Sequence, residues 1–211
     1  MAKPNGTTAA FLVLAAPFYV NDFALIALDG TYSVYLVDYL TRTVVLATCF
    51  LWPLSRDIAW ERHAPEWGTV PAVLCVALLP VSSRVAYHVL EAPFVRLTGI
   101  DGLFAFEPLV DPTLYWLDLT AGLFAVALSE ELVFRKFAMR WLAESGHTPA
   151  RIVVISALLF SLMHWGSGPG RLLYTFAVGL LFMAVYLRLK RLWPLVLAHW
   201  IENFIAFGGA D

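Results

Sequence analysis

The sequence predicts an all-α, polytopic integral membrane protein: a helical bundle of about seven transmembrane helices with a cytoplasmic N-terminus. Composition leads there first. Of 211 residues 60% are hydrophobic and 14% charged, roughly half the charge of an average soluble domain. Mean hydropathy is +0.73, and the apolar residues are gathered into runs of roughly 20, the length a helix needs to cross a bilayer core. So few charges cannot coat a soluble globule, and so apolar a chain cannot stay disordered. The 14 Lys+Arg against 16 Asp+Glu leave no basic footprint for nucleic acid.

Seven runs qualify in chain order. The first, 9–28, is interrupted by Pro17 and by Asn21-Asp22. The second, 32–54, carries Asp38 and Arg42 four apart on one face, and the third, 69–90, carries Arg84. The fourth begins near Thr113 and continues as an amphipathic helix to Ser145. The fifth covers 150–165, the sixth 171–189 and the seventh 192–207, with Gly166-Ser167-Gly168-Pro169-Gly170 as a tight break between fifth and sixth. The segment 91–112 mixes Pro and Gly with Phe94, Leu103, Phe104 and Phe106, and reads as an ordered loop or an interfacial helix. No cleavable leader is expected, because no small-residue site closes the first run. Cys49 and Cys75 lie inside apolar runs and read as small buried hydrophobes.

Basic residues orient the spans. With the N-terminus inside, the cytoplasmic segments hold Lys3, Arg56, Arg62, Arg135, Lys136, Arg140, Arg151, Arg188, Lys190 and Arg191, and the other side holds Arg96 and Arg171. That asymmetry is a positive-inside signal.

Ionisable groups inside spans are costly and are functional candidates by default. Asp22, Asp38, Arg42, Arg84 and Asp118 stand in no spacing that chemistry requires, so they read as helix-to-helix glue. The last hundred residues differ. Ser129-Glu130-Glu131-Leu132-Val133-Phe134-Arg135 puts two carboxylates and an arginine on the fourth helix. Glu131 and Arg135, four apart, can pair, while Glu130 points about 100° away from its neighbour. Phe160 and His164 lie one turn apart on the fifth helix, and His199 and Asn203 one turn apart on the seventh.

A carboxylate in low dielectric suits a general base, an imidazole beside it can hold a water, and an imidazole with a carboxamide can donate to a developing oxyanion. Together these describe a water-activating amide hydrolase inside the membrane. A polar network that only ties helices together, or a proton path, is the bland alternative. The motifs of other intramembrane proteases are missing: Ser167 follows Trp165-Gly166 rather than the Gly-x of a serine-type Gly-x-Ser-Gly, and His199-Trp200 breaks the zinc-type His-Glu-x-x-His.

Taken in order, Glu-Glu-x-x-x-Arg (Glu130, Glu131, Arg135), Phe-x-x-x-His (Phe160, His164) and His-x-x-x-Asn (His199, Asn203) resemble the CPBP family. That family comprises the CAAX-processing Rce1-like endopeptidases and the bacteriocin-immunity-type Abi relatives. The resemblance covers 113–207 and implies a catalytic Glu130 that activates water with His164, an oxyanion site from His199 and Asn203, and a supporting set of Glu131, Arg135 and Phe160. The chain then divides into 1–112, spans without a recognised motif, and 113–207, the catalytic core, within one domain. The expected activity is glutamate-type endoproteolysis of a membrane-associated protein or peptide: CAAX-type, leader-peptide or C-terminal sorting-signal processing. The expected setting is a bacterial or archaeal cytoplasmic membrane. No cofactor is favoured; the alternative is zinc, held by Glu130, His164 and His199. The rival readings are a non-catalytic peptide-binding or immunity protein and a small proton-coupled transporter, whose paired broken helices the crowding of polar groups into one half opposes.

Overall fold

Helix boundaries in the computed structural model, which describes residues 6–28, 30–62, 64–107 and 109–209, follow local backbone chemistry closely. Eight helices form, and no strand is found among the described residues. Helix α1 is Gly6–Ala27 and α2 is Thr31–Leu51. Helix α2 stops before the expected Leu54 because Trp52 precedes Pro53 and is forced extended (φ −74°, ψ 127°). Pro53 then opens the short α3, Pro53–Trp60, from a position where its missing N–H costs nothing.

Helix α4, Thr69–Thr98, runs past the expected end at Leu90. A π turn at Tyr87–Glu91, closed by the Ala92 N–H on the Tyr87 carbonyl, loosens the ladder just where Pro93 would break it. Gly99 ends α4 in the left-handed conformation (φ 67°). The segment expected to be loop or interfacial helix is therefore helix to Thr98 and then a loop strapped to the body. Its Leu103 N–H bonds the Gly166 carbonyl at 2.7 Å, and the Tyr35 hydroxyl bonds the Glu107 carbonyl at 3.1 Å.

Helix α5 spans 112–144, close to the expected limits. Asp111 caps it, its Oδ1 accepting from the Thr113 and Leu114 N–H groups, with Pro112 in the first turn. Two π turns, Asp118–Gly122 and Leu132–Phe137, reset its face, the second directly after Glu131. Helix α6 is Pro149–Leu162, capped by Thr148. A turn of 3₁₀ helix at Trp165–Ser167 leads to α7, Pro169–Leu189, and α8 is Trp193–Phe207.

Helix α5 lies at the centre, against α1 and α2 on one side and α6 and α8 on the other, while α6 and α7 pack along their length. That packing is close: a Cβ at Gly179 would meet the Ala157 Cα at 3.0 Å. The core on α5 is Val133, Phe134, Phe137 and Ala138, all fully buried. Outward stand large apolar side chains such as Leu12, Val20 and Phe23 on α1, Leu36 and Leu40 on α2, and Leu74, Leu78 and Val85 on α4. Exposed apolar faces of this extent suit lipid, not water.

Helices α1, α2, α4 and α7 are long and apolar enough to cross a membrane. The other three expected spans do not meet that measure. Helix α6 has 14 residues and α8 has 15, and α5 carries the ionisable groups of the polar interior. Two of the charges used for orientation are buried in the protein. Arg135 is wholly buried, and Lys136 is nearly so, its Nζ donating to the Ala59 and Glu61 carbonyls at 2.7 Å each. The span is one continuous helix, so these two follow the carboxylates inward. Other basic residues do gather at one end, with Arg140 on Glu61 and Arg188 on Glu66, each at 3.0 Å.

Candidate active site

The second π turn of α5 begins one residue after Glu131, so the two carboxylates and Arg135 leave the helix at the point where its face is reset. Glu131 and Arg135 pair as their spacing implies, Nε to Oε2 at 3.0 Å, with both side chains fully buried. The guanidinium stacks over the Phe160 ring at 4.4 Å and lies near Phe182 at 5.7 Å. Such a planar, weakly hydrated cation suits a dry aromatic slot. The other oxygen of Glu131 accepts from His199 Nδ1 at 3.0 Å, so Glu131 fixes both the arginine and the ring orientation of His199.

Glu130 turns the opposite way, toward α2. Its Oε1 is 3.1 Å from Arg42 Nη1 and its Oε2 is 3.8 Å from His199 Nε2. Arg42 is held in turn by Asp38 at 3.0 Å, Asp38 by Asn21 Nδ2 at 2.9 Å, and Asn21 Oδ1 accepts from Thr41 at 2.9 Å. The Asp38–Arg42 pair therefore forms as spaced, but it does more than join neighbouring turns: it reaches across to Glu130. The i, i+4 spacing was visible in sequence; the partner on another helix was not. Asp118 takes the Tyr39 hydroxyl, and Arg84 lies over the Tyr87 ring.

His164 lies two residues past the end of α6, and its Nδ1 is 3.0 Å from the Phe160 carbonyl. A carbonyl only accepts, so this bond places the proton on Nδ1 and leaves a lone pair on Nε2. The turn that follows is pinned to α1. Asp22 Oδ2 accepts from the Gly166 N–H at 2.8 Å, and Trp165 Nε1 donates to the Tyr19 carbonyl at 3.2 Å. A Cβ at 166 would come within 2.9 Å of Asp22 Oδ2 and 2.8 Å of the Phe104 ring, so a larger residue there has to displace one of them.

His199 and Asn203, one turn apart on α8, share a buried cavity of about 50 Å³ with Glu131, Phe160, His164 and Glu202. A water occupies about 30 Å³ of liquid, so the cavity has room for one or two. Of the seven expected site residues, Glu131, Phe160, His164, His199 and Asn203 line this cavity or touch its lining. Arg135 backs Glu131, and Glu130 stands against His199 on the α2 side, outside the lining. Glu202, whose Oε1 accepts from the Tyr174 hydroxyl at 2.8 Å, was not singled out from sequence. Its signal was its position three residues after His199, on the same helix face.

The side chains are engaged with one another rather than gathered as a ligand set. Among the described residues no three His, Cys, Asp or Glu side chains converge as a ligand set. Glu130 is engaged by Arg42, while His164 and His199 use Nδ1, not Nε2, for the Phe160 carbonyl and Glu131. What the arrangement offers instead is carboxylate and imidazole acceptors facing amide and imidazole donors across a space of water size.

No curated protein and no solved structure matches the chain. A family match does exist, and it is the one to which the three motifs point. It covers the segment that supplies both glutamates, both histidines and Asn203: residues 112–205 match the Rce1-like family, described as type II CAAX prenyl endopeptidase Rce1-like, a family of intramembrane endopeptidases.

Proposed function

We propose that this protein hydrolyses a peptide bond of a membrane-associated protein by a glutamate-activated water, with 113–207 as the catalytic core and the basic end of the bundle in the cytoplasm. The observation that carries the reading is a cavity of about 50 Å³ onto which α5, α6 and α8 bring Glu131, His164, His199 and Asn203, with Glu130 Oε2 3.8 Å from His199 Nε2 beside it. Buried polar groups without a task are expensive, and a protein that only bound a peptide would not require this set.

In this reading Glu130 accepts a proton from a water whose second hydrogen bond goes to the His164 Nε2 lone pair. The water oxygen attacks the carbonyl carbon, and the carbonyl oxygen becomes an oxyanion that takes hydrogen bonds from the Asn203 amide and His199 Nε2–H. Carboxylates on both sides of His199, Glu131 at 3.0 Å and Glu130 at 3.8 Å, favour an imidazolium that donates from both nitrogens. Glu130 then returns its proton to the amide nitrogen and the C–N bond breaks. The products are a carboxylic acid and an amine, and the carboxylate of Glu130 is restored. Glu131 and Arg135 hold His199 in place and touch no reacting atom.

The test is cleavage of a prenylated CAAX-type peptide by purified protein in proteoliposomes. Glu130→Gln keeps the side-chain volume and removes the base, so turnover is lost while the melting temperature changes little. Undiminished turnover by Glu130→Gln overturns the assignment.

A further inference from the structure

Two cavities, not one, meet at His164. The first is the candidate site. The second, of about 70 Å³, lies on the α1 and α2 side of the imidazole. Its polar wall is Asn21, Asp22, Asp38, Arg42 and Ser167, and Phe104 from the 99–111 loop forms part of its apolar wall. The chain's N-terminal half thus supplies most of a polar chamber that touches His164 directly and Glu130 through Arg42.

We propose that this chamber is a water reservoir that supplies the hydrolytic water from the loop side of the membrane. The proposal rests on the proteolytic reading above. Each turnover consumes one water. By volume the chamber holds at least two waters, and a cavity with several polar partners is one that water enters, whereas an apolar one stays dry. Arg42, 9% exposed, is one of the residues that line the chamber. Its Nη1 lies 3.1 Å from Glu130 Oε1, so a residue of the chamber wall touches the proposed base. His164, on the boundary, shares its walls with both cavities.

The test does not need substrate. In a Cys49→Ala/Cys75→Ala background, single cysteines are placed at Leu25 and Met163, which line the chamber yet are only 3% and 4% exposed. Ala127→Cys and Leu14→Cys, equally buried but on neither cavity, are the controls. Methyl methanethiosulfonate reacts with thiolate, and a thiol ionises only where water solvates it, so chamber cysteines in proteoliposomes react at least ~100-fold faster than the controls. Chamber cysteines that react as slowly as the controls overturn the reservoir, whatever the protein cleaves. In the second arm, Leu25→Cys is modified with benzyl methanethiosulfonate, which fills the chamber. Cleavage of the CAAX-type reporter then falls at least ~10-fold in kcat with KM unchanged, and thiol reduction restores it. Rapid labelling without any loss of kcat overturns the supply role. Failure of the unmodified protein to cleave sinks the proteolytic reading but leaves the labelling result standing.

Discussion

Replacing Arg135 by alanine removes the cation from a pair in which both side chains have no solvent exposure. Glu131 is left with its carboxylate in the protein interior and only His199 to engage it. Breaking such a pair by losing one partner costs about 3–5 kcal/mol, because no water replaces the lost charge and solvent screening is absent. Loss of the stack on Phe160, at 4.4 Å, adds to this by ~0.5–2 kcal/mol in isolation, though neighbouring terms do not sum simply. For a chain of this size each kcal/mol moves Tm by about 2–4 °C, so Arg135→Ala melts roughly 6–20 °C below the parent. The assay is thermal unfolding of the purified protein in a mild detergent, followed by intrinsic tryptophan fluorescence. Glu131→Gln/Arg135→Met removes both charges, keeps an acceptor for His199 and regains most of that loss, since neutral pairs of similar volume are tolerated. An Arg135→Ala protein that melts within about 2 °C of the parent and is inactive refutes this reasoning and makes the arginine a substrate contact.

Three further outcomes follow from the geometry. Asn203→Ala lowers kcat by about two to three powers of ten with KM little changed, the loss typical of one oxyanion donor; a rise in KM at constant kcat replaces the oxyanion role by a binding one. Protein stripped of metal by a strong chelator and verified by elemental analysis still cleaves the CAAX-type reporter; activity that vanishes and returns with stoichiometric zinc recasts Glu130, His164 and His199 as ligands. Asp22→Leu removes the acceptor that the Gly166 N–H meets at 2.8 Å and leaves that donor unsatisfied, a cost of about 1–3 kcal/mol. It lowers both Tm and kcat by releasing the turn after His164, and an unchanged kcat shows that the turn does not position the imidazole.

The sequence by itself determined the all-helical membrane character, because charge depletion and apolar runs are properties of the chain and hold in any packing. It also determined the Glu131–Arg135 pair, since an i, i+4 spacing on one helix brings side chains together without help from a neighbour. The limits of α5 were legible too, because Asp111-Pro112 at one end and Gly146 at the other are local signals. Tertiary structure alone decided what crosses between helices. Arg42 and Glu130 are far apart in sequence and meet only because α2 packs against the middle of α5. Glu202 gains its meaning from Tyr174 on α7, and Asp22 from a backbone N–H beyond α6. The extension of α4 past Leu90 and the burial of Lys136 belong to the same class. A π turn and a carbonyl on another helix end decide them, and neither leaves a periodicity that a single chain can display.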